Sequence, residues 1–103
     1  MDAPSPSPDD IIAALRAHDV ELRRAGIGHL SLFGSAARDE ASAASDIDLA
    51  VELDPGAHIG LFRLMGLQRR LSEILGSPVD LLPEPVESPR LQRNIERDRR
   101  YAF

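Results

Sequence analysis

The chain has 103 residues, 43% hydrophobic and 28% charged, with a formal net charge of −5 and no cysteine. That length makes one domain with a modest core and little surface for a second lobe. The acidic balance argues against direct nucleic-acid binding, which needs a basic surface. The missing Cys excludes disulfides and thiolate metal sites, and no apolar run approaches the roughly 20 residues of a membrane helix.

Residues 1–8 are rich in Pro and Ser, with neither a basic start nor an apolar stretch. They read as a disordered lead-in rather than a signal peptide, before a folded domain over 9–103 in a cytoplasmic protein. Asp9 or Asp10 caps a first helix, whose Ile11, Ile12, Leu15 and Leu22 recur at helical spacing to about residue 25. Gly26-Ile27-Gly28 ends it. Residues 29–33 read as a strand, then Gly34-Ser35 leads into a short helix over 36–38. In residues 46–53, Ile47, Leu49, Val51 and Leu53 alternate with Asp46, Asp48, Ala50 and Glu52, the pattern of a half-buried strand.

Asp54-Pro55-Gly56 turns the chain into an amphipathic helix over 59–75, with Phe62, Met65, Leu71, Ile74 and Leu75 expected toward the core. Gly76 and Pro78 stop it, and residues 79–82 form a third strand. Ser88 caps a last helix with Pro89 at its first position, running to about residue 99. The five Arg from residue 89 to the end (90, 93, 97, 99 and 100) read either as a solvated face with i,i+3 and i,i+4 ion pairs or as a surface for an acidic protein or nucleotide partner. Residues 101–103 are expected to pack as a tail. The sum is an α/β (α+β) domain: a small mixed sheet of three to four strands flanked by helices.

The informative stretch is Gly34-Ser35, ten residues, then Asp46-x-Asp48. Asp46 and Asp48 are two apart on a strand, so their carboxylates leave the same face while Ile47 and Leu49 point into the core. Two adjacent carboxylates repel; a hard divalent cation such as Mg²⁺ relieves that repulsion and is held by it. Gly34 allows close backbone approach to a phosphate, and N–H groups at a helix start bind anions. The Ser35 hydroxyl adds a hydrogen bond, and Arg38, one turn on, offers a fork-shaped cation. Asp80 lies mid-strand between Val79 and Leu81. If its strand pairs beside that of Asp46 and Asp48, it joins the same face, to ligate a metal or help deprotonate an attacking hydroxyl. Phosphoryl and nucleotidyl transfer use such an arrangement, because their catalysis is mostly positioning and charge neutralisation. His18, His29 and His58 are scattered without metal-ligand spacing.

These residues resemble the DNA polymerase β-like nucleotidyltransferase superfamily, and within it the minimal nucleotidyltransferase (MNT) proteins, including MntA-type antitoxins. Gly34-Ser35-x10-Asp46-x-Asp48 is similar to the superfamily signature, and Ser45 and Arg38 match the MNT form. The resemblance implies the polymerase β-like fold, metal held by Asp46, Asp48 and Asp80, and an NTP whose phosphates meet Gly34 and Ser35. It implies ATP as donor and a HEPN-domain RNase toxin as partner, neutralised by binding, by adenylylation of a tyrosine, or both. The family pattern often carries Gly after the Arg, where this chain has Asp39, an added negative charge beside the phosphates.

Three functions follow as expectations: a Mg²⁺-dependent enzyme that transfers AMP to a partner protein, a catalytically inactive antitoxin that acts by binding, or a transferase for a small hydroxylated molecule. The acceptor-binding domain of larger relatives is missing from the sequence, which favours a partner that brings its own acceptor.

Overall fold

The first helix, α1 (Pro8–Ala17), starts two to three residues earlier than a cap at Asp9 or Asp10 would give: Ser7 is the cap, and its Oγ accepts from the Asp10 N–H at 3.1 Å. Pro8 takes the position where a missing N–H costs nothing. The computed structural model describes residues 7–40 and 46–103. Of the lead-in expected over 1–8, residues 1–6 lie outside the described residues, and the last two already belong to the helix start. Ser45 is also outside them.

The single helix expected to residue 25 is two. His18 leaves helical geometry (φ −113°, ψ 17°) and its ring Nδ1 lies 3.0 Å from the Ala14 carbonyl, a local bond that competes with the helix. Helix α2 (Asp19–Arg24) follows and ends at Gly26, whose φ of +108° continues no helix. Strand β1 (Ile27–Phe33) begins two residues before the expected start. The extra residues pair with the far end of β2 (Ile47–Leu53) through an irregularity between Ile27 and His29.

Between these strands lies the short helix α3 (Gly34–Ala37). Helix α4 (Leu61–Leu75), strand β3 (Val79–Pro83), helix α5 (Pro89–Asp98) and strand β4 (Arg100–Tyr101) complete the order. The sheet runs β3-β2-β1-β4, with β2–β3 parallel and the other two pairs antiparallel. The last residues therefore contribute a fourth strand. Ala102 is buried behind it, its N–H bonded to the Leu30 carbonyl at 2.8 Å.

Alternation divides the sheet's two faces. Leu30, Leu32, Ile47, Leu49, Val51, Val79 and Leu81 join Ile11, Leu15, Leu67 and Leu71 in the main core. On the other face Phe33 and Ala50 pack against Ile95 of α5, with Leu82, Val86 and Leu91 around them. The residues that alternate with the main core, Asp48 and Asp80 among them, therefore belong to the α5 side.

Two expected core residues are not in the core. Phe62 is 89% exposed and Met65 58% exposed. The buried row of α4 is Leu67 and Leu71, flanked by Leu64, Ile74 and Leu75. At 100° per residue, Phe62 lies about 140° and Met65 about 160° around the helix from Leu67, beyond an apolar stripe. Leu71, Ile74 and Leu75 pack as expected.

Candidate active site

The parallel register brings the separated aspartates together. Asp48 on β2 pairs with Asp80 on β3, and with Phe33 of β1 on its other side. Asp46 immediately precedes β2, where the Ile47 N–H bonds to the Pro78 carbonyl at 2.9 Å and pins the start of the strand. Asp80 sits on the edge strand, yet that edge is fixed. The Val79 N–H donates to Ser72 Oγ and the Leu81 N–H to Gln68 Oε1, each at 3.2 Å. Helix α4 thus satisfies the backbone donors on both sides of Asp80, which an open edge would leave to water.

Asp48 is half-buried; Asp46 and Asp80 are exposed. Burial, then the charges of Asp80 and Asp46, push the Asp48 carboxyl above its usual range, while Arg38 pulls it back. Asp48 therefore senses both of the other carboxylates. Among the described residues none of them joins an ion pair with a protein cation. Also among the described residues, no three of His, Asp or Glu close into a ready-made metal cage. The arrangement is an open acidic face, Asp48 beside Asp80 with Asp46 at its margin. All its donors are hard oxygens, and among the described residues Arg38 offsets their repulsion only from a distance, without pairing with them. This donor set fits a hard divalent cation that shares its shell with water and phosphate.

Gly34 shapes the other wall. It has φ +72°, and a Cβ built there would stand 2.5 Å from Asp48 Oδ2. Only a residue without a side chain lets the turn pass against the carboxylate. Ser35 follows at the start of α3, whose first turn has no side-chain cap. The Gly34-Ser35 turn and the acidic face are adjacent through this contact.

Arg38 is also at the site, but it is not unengaged. Its Nε donates to Glu40 Oε2 at 3.0 Å and its Nη1 to Asp98 Oδ2 at 2.6 Å. Asp98 has a side chain only 7% exposed and also accepts from Arg97 at 3.0 Å. Donation from Arg97, with Arg38 adding, holds the Asp98 carboxyl below its usual range. The sequence reading missed this residue. A signal was there: Leu91, Ile95 and Asp98 are spaced i, i+4, i+7, so Asp98 lies on the packed stripe of α5. Among the described residues the Arg-rich end makes no i,i+3 or i,i+4 ion pair. Arg38 pairs with Asp98, Arg99 with Glu84 and Arg100 with Asp9, all long-range.

Asp39 adopts φ +59°, a left-handed residue just after α3. Gly takes that conformation without cost, and Asp is among the few others that enter it readily. The departure from Gly at this position thus keeps the backbone conformation, and Asp39 itself is exposed.

This fold and acidic face belong to a known class: residues 18–102 match the nucleotidyltransferase domain family, and the chain is a member of it. Within that class it is 31% identical to the protein adenylyltransferase MntA of Thermococcus cleftensis over 91 residues, covering 87% of this chain and 90% of that one. It is 34% identical over 92 residues to a provisionally named protein adenylyltransferase of Methanocaldococcus jannaschii, covering 86% and 91%. A solved protein described as a minimal nucleotidyltransferase superposes with a TM-score of 0.75 at 31% identity, over 91% of this chain and 94% of that one. A Shewanella oneidensis complex of a tri-AMPylated HEPN toxin with an MNT antitoxin gives a TM-score of 0.64 at 21% identity, over 89% and 71%. That last likeness is one of fold. Among the described residues no helix is long and apolar enough to cross a membrane.

Proposed function

We propose that the chain transfers AMP from ATP to a tyrosine hydroxyl of a HEPN-domain toxin and so acts as the antitoxin of the pair. The observation that carries this reading is the pairing of Asp48 with Asp80 beside the Gly34 turn. Relatives named protein adenylyltransferases support the reaction class, and the AMPylated toxin in the Shewanella complex supports the partner.

In this reading Asp46, Asp48 and Asp80 would hold Mg²⁺, which when bound would supply charge neutralisation at the triphosphate and Lewis-acid polarisation. The chain's own residues do the positioning. Gly34 and the Ser35 N–H and hydroxyl line the phosphates, and Arg38 presents its guanidinium from a place fixed by Asp98 and Glu40. The acceptor hydroxyl forms the new O–P bond at the α-phosphorus. The bond from that phosphorus to the α,β-bridging oxygen breaks, and pyrophosphate leaves. The hydroxyl proton passes to Asp80 or through it to water.

The test is to incubate the purified chain with ATP labelled at the α-phosphate, Mg²⁺ and a HEPN-domain toxin from the same organism. The expected result is AMP on a partner tyrosine, lost with Asp48→Asn. A toxin neutralised equally by Asp48→Asn and carrying no AMP overturns it in favour of the second reading, an antitoxin that acts by binding alone. The engagement of Arg38 by two carboxylates, with Asp39 close by in sequence, favours that alternative.

A further inference from the structure

Helix α5 carries a ridge of positive charge that the site does not use. Of the arginines near the end of the chain, Arg99 and Arg100 are drawn back onto the fold by Glu84 and Asp9. Arg90, Arg93 and Arg97 point outward: all three are exposed, and each lies about 140–160° around the helix from buried Ile95. They fall within about 60° of one another, in a stripe spaced i, i+3, i+7 and about 10 Å long. Among the described residues Arg90 and Arg93 join no ion pair, and Arg97 pairs only with its neighbour Asp98. The fold gains nothing from this spacing, because like charges at i,i+3 and i,i+4 destabilise a helix. A local rule broken without compensation inside the fold marks a surface with another use.

The ridge borders the acidic face. α5 packs on the sheet face that carries Asp48 and Asp80. One flank of the helix, Gln92 and Glu96, looks into a groove lined also by Glu52, Asp54 and Glu84. The other flank ends in Asp98, which holds Arg38 at the site. In a chain of net charge −5, three positive charges thus stand in a strip with carboxylates on both sides.

We propose that Arg90, Arg93 and Arg97 bind an acidic stretch of the partner protein next to its acceptor hydroxyl, and so select which hydroxyl reaches the aspartates. This deepens the reading that a partner carries the acceptor, and rests on it. Charge and length select the occupant. A ridge of about 10 Å matches a few carboxylates spread over two turns of a helix. A nucleic-acid strand is a longer polyanion and would run off the ridge onto the flanking carboxylates. A second copy in two-fold contact would set arginines against arginines, and a head-to-tail contact of the ridge with another copy's acids generates an open chain unless its rotation closes a ring. Charges this exposed steer and orient an encounter rather than lower the chemical barrier, so the ridge acts on KM and not on kcat.

The experiment compares the wild type with Arg90→Ala/Arg93→Ala; Arg97 is kept because it also holds Asp98. Both replaced residues are exposed, so the melting temperature should equal or slightly exceed that of the wild type, and ATP affinity should be unchanged. With a HEPN-domain toxin from the same organism as acceptor, KM for AMP transfer should rise about 5- to 10-fold at low salt, while kcat at saturating toxin persists. Added salt should bring the wild-type KM toward that of the variant. Replacing Asp and Glu beside the modified toxin tyrosine by Asn and Gln should give the same loss, with no further loss when the two sets are combined. An unchanged KM in Arg90→Ala/Arg93→Ala, or losses that simply add, overturns the ridge and leaves the transfer reading standing. If the wild type transfers no AMP, the transfer reading fails, and titration calorimetry decides the ridge: weaker toxin binding by the variant upholds it, and equal binding or no complex overturns it. A wild-type oligomer, or wild-type binding to single-stranded RNA, that Arg90→Ala/Arg93→Ala abolishes assigns the ridge to a second copy or to nucleic acid and overturns the proposal.

Discussion

Replacing Gly34 by Ala tests the contact that joins the turn to the acidic face. Two separate costs are expected. The first is backbone: at φ +72° an L residue is strained by about 1–2 kcal/mol. The second is steric: the new Cβ would sit 2.5 Å from Asp48 Oδ2, so either the turn or the carboxylate must move. Forcing an extra methyl into a filled position costs about 1–3 kcal/mol. Gly76→Ala is the control, since Gly76 has nearly the same φ, +66°, with nothing within 4 Å of its built Cβ. Urea denaturation should therefore show a loss of about 1–2 kcal/mol for Gly76→Ala and about 2–5 kcal/mol for Gly34→Ala. A domain with roughly 5–15 kcal/mol of stability remains folded in both. Activity should separate them further. A displacement of Asp48 approaching 1 Å costs on the order of 100-fold in transfer rate, whereas Gly76→Ala should keep the wild-type rate. Equal stability losses together with undiminished transfer by Gly34→Ala would refute the idea that Gly34 is required by its neighbour.

Three further substitutions probe other parts of the site. Asp48→Asn should abolish transfer while leaving stability in metal-free buffer equal or slightly higher. Burial and the neighbouring carboxylates raise this group's folded pKa, so its charge disfavours the fold at neutral pH, and that penalty disappears as pH falls through its titration. Added Mg²⁺ should raise the melting temperature of the wild type but not of the variant, and an equal rise in both would remove Asp48 from the metal site. Asp98→Ala releases Arg38 and should weaken ATP binding several-fold with about 1 kcal/mol lost in stability, since the partner arginines are partly exposed. Unchanged ATP affinity in both Asp98→Ala and Arg38→Ala would move the phosphate contact elsewhere. Gly66→Ala fills open space within a helix and should raise stability by about 1 kcal/mol in a melting experiment.

Much of the candidate site was readable locally. The alternation across 46–53 assigns Asp46 and Asp48 to one face because side chains on a strand alternate whatever lies beyond it. Gly34-Ser35 marks a turn into a helix by its own backbone preferences, and the motif spacing points to the nucleotidyltransferase class, which the fold bears out. Element limits were less legible where a neighbour decided them. His18 interrupts a periodic pattern through a bond to its own helix, and the end of the chain becomes a strand only because β1 offers it an edge.

What the sequence determined by itself is thus the alternation of faces, the helix caps and stops near Ser88 and Gly76, and the residue types that the chemistry needs. The tertiary structure alone decided which of those residues meet. It put β3 parallel beside β2, so that Asp80 faces Asp48. It folded α5 over the sheet, so that Asp98 reaches Arg38. It rotated α4 so that Leu67 and Leu71 are covered while Phe62 and Met65 are left outside. Periodicity is set by bonds between residues a few positions apart. Strand order, register and the rotation of a helix about its axis are set by contacts between residues far apart in the chain, and a local pattern carries no record of them.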